Sequence, residues 1–406
     1  MTKLTDQRQV RSFIWLCTLV YFTSYLSRIN LSATLVEIVS SGFAAKNTAA
    51  LALTACSVTY GTGQVVSGWL GDRFRPQNVI SVGFLITGCV NFLVGLLPND
   101  SLLIPLWAVN GFAQSLMWPP LVAIMAANLS NEDYEKACVR VSWGSSFGTI
   151  AVYLLAPAVL RFLDIRWVFI LCAAGAMGML LCWRIKFDAS YSVPSVTAKK
   201  NAQTNATASS FPPKTLLLMI PVFLCIVLQG FLRDGVTSWT PSYISDIFQL
   251  SSSASILSGV ILPLFSILCF LLASVIHRRF FRNELLCSGV IFSVGCLSAV
   301  ALFLFEGSSM VLNLLCLALL AGSMHGVNLI LLCIVPPYFA KHGHVSLVSG
   351  ILNAGTYVGS AVSAYGTALF SEHFGWKNTI LLWAGVALLG TVLCLVLKKK
   401  WAAFKT

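Results

Sequence analysis

Two arginines, Arg28 and Arg233, each lie deep inside an apolar run that is long enough to cross a membrane. A guanidinium stays protonated at any biological pH, so it cannot escape the membrane interior by becoming neutral, as Lys or His can. A charged side chain at that depth costs roughly 2.5–3.5 kcal/mol on insertion scales. The planar fork of the arginine guanidinium suits bidentate binding of a phosphate or a carboxylate. We therefore predict that both arginines face a wet cavity and bind a small anionic substrate.

The two arginines occupy matching positions in two halves of the chain. They are 205 residues apart, and the basic loops "GDRFR" and "HRRFFR" repeat at about the same offset. Both lie roughly 22–27 Å from the start of their helices at 1.5 Å per residue. The alternative is that each arginine pairs with a carboxylate of its own half, and Asp234 follows Arg233 directly. Adjacent helical side chains diverge by about 100°, which disfavours that pair.

Two permanent positive charges also predict a mechanism. A carrier that closes around them while empty must bury them without compensation, whereas a bound dianion cancels them. We therefore expect the protein to exchange anions rather than to return empty.

The elements that position these residues are transmembrane helices. The chain has 406 residues, is 57% hydrophobic and 10% charged, and has a mean hydropathy of +0.83. A helix needs about 20 apolar residues to span a bilayer. Twelve spans are predicted, near 13–38, 48–70, 78–97, 102–129, 138–161, 168–185, 215–239, 253–276, 285–305, 310–337, 346–370 and 378–397. The fold class is an all-α membrane protein with two six-helix bundles, 1–187 and 215–406, joined by a polar, proline-punctuated linker, 188–214.

The net charge of +12 reflects topology and does not indicate nucleic-acid binding. With both termini in the cytoplasm, 20 of the 26 Lys and Arg residues fall on the inner side and four outside, in line with the positive-inside rule. The 13 cysteines form no Cys-x-x-Cys pair, and the 14 acids and five histidines contain no paired carboxylates or nucleophile–base motif. We therefore expect no enzyme, no metal and no cofactor.

Polar and small residues inside or beside the spans suggest a cavity and a gate. Interior tyrosine hydroxyls need partners, so a polar cavity or ordinary core packing would each explain the aromatic residues Tyr21, Tyr25, Tyr60, Trp118 and Tyr357. His325 is either a hydrogen-bonded interior residue or a proton-coupling group. In "GWLGDRFRPQ", Gly68 permits close helix contact, Asp72 can accept from N–H groups at a neighbouring helix end, and Arg73 can reach headgroups. This loop is either a cytoplasmic gate latch or merely topogenic.

Proline pairs predict bends in two spans. "WPP" at Trp118–Pro120 and "VPP" at Val335–Pro337 should interrupt spans four and ten at related places.

The sequence resembles the organophosphate:inorganic phosphate antiporters, which include glycerol-3-phosphate and hexose-phosphate transporters, over nearly its whole length. The resemblance is carried by "YFTSYLSRIN", "YGTGQVVSGWLGDRFRPQ", "NGFAQSLMWPP", "FLRDGVTSWTPSYI" and "SGILNAGTYVGS". It implies a major facilitator fold, alternating access and exchange of an organic phosphate for inorganic phosphate. By motif, the phosphate-binding arginines of that family look like Arg28 and Arg233, and the other site residues look like Tyr21, Tyr25, Tyr60, Gln64, Trp118 and Tyr357.

Three positions depart from the family pattern. A family lysine falls on Gln64, a substrate-site histidine falls on or near Phe147, and the residue after the second arginine is Asp234 rather than an uncharged one. The predicted cavity has lost positive charge and gained an acid. This leaves room for a monoanionic phosphodiester or a carboxylate taken up with protons, with Asp234 or His325 as the proton carrier.

Two alternatives to phosphate exchange therefore stay open. One is a proton-coupled carrier of another organic anion. The other is a membrane sensor of a phosphorylated metabolite, because one branch of the family senses hexose phosphate, and the short basic tail "KKKWAAFKT" is the feature that suggests a dock. In each case we expect a monomer in the bilayer of the cell membrane, with both termini in the cytoplasm.

Overall fold

The computed structural model describes residues 3–96, 100–190, 213–249 and 252–405, and the regular secondary structure in these ranges is helical. The chain divides into two compact units. The first comprises Met1–Ser209 together with Phe339–Ala354, and the second comprises Ser210–Tyr338 together with Gly355–Thr406. The segment Phe339–Ala354 thus groups with the first unit, although the sequence prediction assigned it to the second half.

The first unit contains eight helices among its described residues. They are α1 (Gln7–Ala33), α2 (Leu35–Ser40), α3 (Lys46–Arg73), α4 (Pro76–Leu96), α5 (Asp100–Ser115), α6 (Trp118–Asn128), α7 (Asn131–Leu160) and α8 (Arg166–Ser190). Polar caps fix where the long helices begin. The Asp6 carboxylate accepts from the Arg8 N–H at the start of α1, and the Ser130 hydroxyl accepts from the Asp133 N–H at the start of α7.

Close helix pairs build the first bundle. The arginine helix α1 packs mainly against α7, α3 packs against α5, and α4 packs against α8. Glycines on α7 allow the approach to α1, because a Cβ atom at Gly144 would lie 2.7 Å from the Thr18 carbonyl oxygen and one at Gly148 would lie 2.7 Å from that of Phe22. A larger residue on this face of α7 would therefore displace the backbone of the arginine helix.

The second unit is built from four further helices and most of a fifth, whose start up to Ala354 belongs to the first unit. They are α9 (Pro213–Phe248), α10 (Ser252–Arg279), α11 (Glu284–Leu304), α12 (Met310–Asn328) and α13 (Val345–Lys405). The last helix covers predicted spans eleven and twelve and is broken at Gly375, whose φ of 77° is open to glycine. Within the unit, α12 packs against α9, α10 and α11.

Spans four and ten are interrupted where the sequence predicted bends. The α-helical part of span four ends at Ser115, residues 116–117 form a turn, and α6 begins at Trp118 ahead of Pro119 and Pro120. In span ten, α12 passes into a π-helix at Leu329–Ile334 and a 3₁₀-helix at Pro336–His342. Proline supplies no N–H for the regular ladder, which explains both interruptions.

Seven of the helices in the described ranges are long and apolar enough to cross a membrane, counting α12 together with the turns that follow it, and α13 as one. The predicted linker, 188–214, lies mostly outside the described residues. Its edges are helical, because α8 extends to Ser190 and α9 begins at Pro213.

Candidate functional site

The first unit places four of the predicted site residues around Arg28. The arginine lies on α1, and its guanidinium carbon is 4.1 Å from the ring centroid of Tyr25, one turn earlier on the same helix. It is also 4.5 Å from the ring centroid of Tyr60, which is buried on α3. Tyr21 packs edge-on against Tyr25, with ring centroids 5.1 Å apart, and its ring lies tilted by 44° against that of Trp118, with centroids 4.8 Å apart. The helical spacing of 21, 25 and 28 puts these side chains on one face of α1.

This arrangement forms an aromatic cradle around a cation. The negative faces of Tyr25 and Tyr60 attract the guanidinium. Contacts with ring faces do not use N–H donors, so the cradle can orient the arginine without competing for the hydrogen bonds that an anion would accept. We call Tyr21, Tyr25, Arg28, Tyr60 and Trp118 the arginine cradle.

Gln64 lies one turn after Tyr60 on α3 and is fully buried. Its Oε1 accepts a hydrogen bond of 2.8 Å from Asn353 Nδ2 in the part of α13 that belongs to the first unit. Its Nε2 and the Nε1 of buried Trp118 have no hydrogen-bond partner among the described residues. Phe147, at the other departure from the family pattern, lies on α7 and is 49% exposed.

In the second unit, Arg233 pairs with its neighbour Asp234 on α9. Arg233 Nε donates to Asp234 Oδ1 at 2.6 Å, and Nη2 donates to Oδ2 at 2.8 Å. The expectation that adjacent positions disfavour this pair is therefore wrong. The physical reason is reach: the two Cβ atoms diverge, but the long arginine side chain turns back so that the Nε edge of its planar fork meets both carboxylate oxygens.

Other polar groups of the second unit surround this ion pair. Ser360 on α13 hydrogen-bonds Asp234, and His325 on α12 lies within electrostatic range of both Arg233 and Asp234. The imidazole of His325 also packs edge-on against Phe270, with ring centroids 5.3 Å apart. Tyr357 is half-buried on α13. The structure therefore brings His325 to the arginine of its own bundle.

The predicted gate residues join α3 to the beginning of α13. Asp72 Oδ1 accepts from the Ser346 N–H at 3.0 Å, and Oδ2 accepts from the Leu347 N–H at 2.9 Å. These are first-turn donors of α13, where a carboxylate also interacts favourably with the helix dipole. A Cβ atom at Gly68 would lie 2.7 Å from the Ser346 carbonyl oxygen, so glycine permits the approach. Arg73 is exposed and its guanidinium carbon lies 5.2 Å from the Trp69 ring centroid.

Two groups of buried polar residues were not anticipated from the sequence. One consists of amides on α4 and α5 that surround the Arg28 turn. The other is centred on Glu284, which is fully buried and accepts from Tyr338, Trp401 and Lys405. The available signal was the presence of Asn, Gln and Glu within or at the ends of apolar runs, because such residues are expensive in a membrane and mark sites by default. The described residues hold no group of three or more His, Cys, Asp or Glu that could bind a metal ion.

The comparisons with known proteins agree with this fold. The profile described as Major Facilitator Superfamily matches residues 17–341. "Membrane sensor protein UhpC" from Salmonella typhimurium is 23% identical over 94% of this chain and 90% of that protein. The "Glycerol-3-phosphate transporter" from Bacillus subtilis is 22% identical over 92% of this chain and 88% of that protein. The solved structure of the proton:xylose symporter XylE bound to 6-bromo-6-deoxy-D-glucose superposes with a TM-score of 0.74 at 12% identity, covering 99% of this chain and 100% of that one.

The family profile, the similarity to a named transporter and the fold define a multi-pass membrane transporter and not an enzyme. The chain belongs to the major facilitator superfamily, since the family profile matches most of its length. The predicted fold class, an all-α membrane protein with the major facilitator fold, and the resemblance to organophosphate:inorganic phosphate antiporters are confirmed.

Proposed function

We propose that the protein carries an organic phosphate, of the glycerol-phosphate or sugar-phosphate type, across the cell membrane in exchange for inorganic phosphate. Arg28 and Arg233 bind the anion, and the carrier works by alternating access. The observation that carries this proposal is the arginine cradle, in which the faces of Tyr25 and Tyr60 contact the guanidinium of Arg28 on α1. A guanidinium fixed by ring faces is preorganised for a bidentate anion.

Two neighbouring donors support an anionic ligand. Gln64 Nε2 and Trp118 Nε1 are buried N–H groups without an acceptor among the described residues, and Trp118 packs on Tyr21 of the cradle. A buried donor that lacks an acceptor costs free energy until a ligand supplies one. The oxygens of a phosphate group can accept both hydrogen bonds. The relative named "Glycerol-3-phosphate transporter" favours the same substrate class.

The Arg233–Asp234 pair favours a second candidate, a proton-coupled carrier of a singly charged organic anion such as a phosphodiester or carboxylate. Asp234 already provides one negative charge to Arg233, so a dianion meets less positive charge than two unpaired arginines would offer. Protonation of Asp234, with His325 nearby, would release Arg233 to the substrate. In this mechanism a proton and the anion move together.

A non-transporting sensor is the third candidate, because a relative that matches almost the whole chain carries the name of a membrane sensor protein. The basic tail "KKKWAAFKT" is the feature of the sequence that suggests a dock for a signalling partner. In the second unit, Trp401 of that tail is buried and Lys405 bonds Glu284, so these tail contacts are internal to the chain. A sensor would bind ligand without flux, which a transport assay detects directly.

We propose Asp72 and Gly68 as the latch of a cytoplasmic gate, with Arg73 at the lipid headgroups. Asp72 binds the first turn of α13, and the same helix continues into the second unit from Gly355 onward. Release of the two N–H donors would therefore free the start of a helix that belongs to both units. We also propose that both termini lie in the cytoplasm, as the positive-inside rule favours, and that the carrier is a monomer in the bilayer.

The test is exchange of radiolabelled phosphate in proteoliposomes preloaded with phosphate, with glycerol phosphate, hexose phosphates, phosphodiesters and dicarboxylates offered outside. We expect phosphate esters to drive exchange that survives collapse of the pH gradient. Arg28→Lys and Arg233→Lys should each abolish exchange, because lysine lacks the planar fork. Arg75→Lys, an exposed loop position, is the matched control. Near-normal exchange in both variants would contradict the two-arginine mechanism, and loss of uptake with the pH gradient would favour the second candidate.

A further inference from the structure

Buried amides surround the turn of α1 that carries Arg28. The carbonyl oxygen of Ser27 accepts from Asn91 Nδ2 on α4 at 3.2 Å and from Asn110 Nδ2 on α5 at 3.0 Å. Both amides are fully buried. The residue immediately before the arginine is therefore held by two neighbouring helices through its backbone.

The same turn is held at two further points. The Ser24 hydroxyl donates to Gln114 Oε1 on α5 at 2.5 Å, and Asn30 Nδ2 donates to Asn91 Oδ1 at 2.7 Å. Ser24, Ser27 and Asn30 recur at the helical spacing that lines one face of α1. All three are 2% exposed or less.

Thr87 on α4 joins these contacts into one network. Its hydroxyl donates to Asn110 Oδ1 at 2.9 Å and accepts from Gln114 Nε2 at 3.2 Å. The network therefore runs without a gap from α1 through α4 and α5 and back to α1. Connected, fully satisfied polar networks rigidify a core, because each bond polarises the next and alternative packings would leave buried groups unpaired.

The second bundle has a smaller version at the corresponding place. Gln229 lies four residues before Arg233, as Ser24 lies four residues before Arg28. Gln229 is fully buried on α9; its Nε2 donates to the Met324 carbonyl on α12 at 3.1 Å, and its Oε1 accepts from Asn328 Nδ2 at 3.4 Å. In both bundles the helix that carries the arginine is thus bonded, one turn before that arginine, to the helix of the fourth predicted span of its half. This helix is α5 in the first bundle and α12 in the second.

The residues of α5 and α12 that bond the arginine helices lie next to the points where spans four and ten are interrupted. Gln114 is two residues before the turn at Leu116 and Met117, and Asn328 is the last residue of α12 before the π-helix Leu329–Ile334. An interrupted helix lacks some of its own backbone hydrogen bonds, so it fixes the positions of the neighbouring helices less firmly. The amide bonds fix the last regular turn before each break to the helix that carries the charge.

Apolar packing alone does not explain these residues. A buried amide is stable in a bilayer only when its hydrogen bonds are made, and leucine of similar volume would pack without that demand. The bonds go to the backbone and side chains of the turns next to Arg28 and Arg233. A shift of about 1 Å in a binding group can cost on the order of 100-fold in rate, so a rigid support for an anion-binding guanidinium has a clear benefit.

We propose that the amides Asn91, Asn110 and Gln114 in the first bundle, and Gln229 and Asn328 in the second, are positioning residues that hold the two arginines for anion binding. This inference rests on the proposed role of Arg28 and Arg233 in binding the transported anion. It assigns the amides no contact with the substrate. Their removal should weaken binding more than it slows the conformational cycle.

The test compares the KM and the maximal rate of phosphate exchange in proteoliposomes for wild type, Asn110→Leu and Gln229→Leu. We expect each substitution to raise KM about tenfold while the maximal rate changes much less, because uniform binding is lost. Asn128→Leu is the matched control: Asn128 is also a buried amide of the first bundle, but its Nδ2 bonds the Ile124 carbonyl of its own helix. It should keep the wild-type KM.

A milder pair keeps the test decisive if the leucine variants fail to fold. Ser24→Ala removes the hydroxyl that reaches Gln114, whereas Ser24→Thr retains one. We expect Ser24→Ala to raise KM and Ser24→Thr to restore it. A merely structural role would lower protein yield and maximal rate without this difference in KM.

The outcomes separate this inference from the function on which it rests. If wild type exchanges phosphate and Arg28→Lys abolishes exchange, but Asn110→Leu, Gln229→Leu and Ser24→Ala keep the wild-type KM, the positioning role is overturned and the carrier function stands. If Asn128→Leu raises KM as much as Asn110→Leu, the effect is not specific to the arginine turn and the inference is also overturned. If wild type exchanges neither phosphate nor any phosphate ester, both fail together.

Discussion

The carboxylate of Asp234 occupies one edge of the Arg233 guanidinium, with both oxygens bonded at 2.6 and 2.8 Å. This is the bidentate geometry in which an arginine binds a phosphate or carboxylate substrate. The second bundle therefore carries its own anion beside the group proposed to bind the transported one. An incoming substrate must either displace Asp234 or share Arg233 with it. The charge of Asp234 consequently acts on affinity and on the choice between singly and doubly charged anions.

Asp234→Asn should increase the affinity for doubly charged phosphate esters. The amide keeps the size of the side chain but removes the negative charge that competes for Arg233. We expect KM for glycerol phosphate in counterflow to fall, with a larger decrease for the ester than for a monoanionic phosphodiester. Asp164→Asn, at an exposed position in the turn before α8, is the control and should change neither value. An unchanged or higher KM for the ester in Asp234→Asn would show that Asp234 does not compete with the substrate.

The ring faces of the arginine cradle should matter more than its hydroxyls for orienting Arg28. Tyr60→Leu removes a cation–π contact worth roughly 0.5–2 kcal/mol, whereas Tyr60→Phe retains the ring. We expect Tyr60→Leu to raise KM for phosphate and Tyr60→Phe to remain close to wild type in the same exchange assay. Equal loss in both variants would indicate that the hydroxyl, not the ring face, is the functional group.

The sequence predicted the helices well and the side-chain pairings poorly, for physical reasons. Span positions follow from the length of apolar runs, and the interruption at Trp118 follows from the absence of N–H groups on Pro119 and Pro120. The Arg233–Asp234 pair was misjudged because helical periodicity fixes only the Cβ direction, while a long arginine side chain reaches well beyond it.

Contacts between distant positions had no local signal at all. Trp401 Nε1 bonds Glu284 Oε2 across 117 residues of sequence, and Ser24 bonds Gln114 across 90. Only the packing of the helices brings these residues together. The sequence could therefore identify each polar residue inside an apolar run as costly, but it could not identify the partner that stabilises it.

Substitution at Gly68 should disrupt the proposed gate latch. In Gly68→Ala, the new Cβ atom would lie 2.7 Å from the Ser346 carbonyl oxygen and 2.8 Å from Leu347 Cα, both of which are backbone atoms. The start of α13 must then move away from α3, and the Asp72 hydrogen bonds to Ser346 and Leu347 should weaken. We expect the maximal exchange rate in proteoliposomes to change while the KM for phosphate stays near wild type.

Two further variants make this prediction specific. Asp72→Asn keeps the shape of the carboxylate but removes its charge-assisted bonds to the helix end, so it should change the maximal rate in the same direction as Gly68→Ala. Gly175→Ala is the matched control, because a Cβ atom there meets nothing within 4 Å. Wild-type rates in both Gly68→Ala and Asp72→Asn would rule out a latch at this contact.

The Glu284 cluster should stabilise the second bundle through the end of the chain. Glu284 is fully buried and accepts hydrogen bonds from the Tyr338 hydroxyl at 2.6 Å, Trp401 Nε1 at 2.6 Å and Lys405 Nζ at 2.9 Å. Lys405→Met removes the cation that compensates this buried carboxylate. Breaking a buried pair in this way costs up to about 3–5 kcal/mol, and the partial exposure of Lys405 places its cost toward the low end. We expect a lower Tm for the purified carrier in detergent.

Lys400→Met, an exposed position five residues earlier in the same helix, should leave Tm unchanged. Equal Tm values for the two variants would show that Lys405 contributes nothing beyond its charge on the surface.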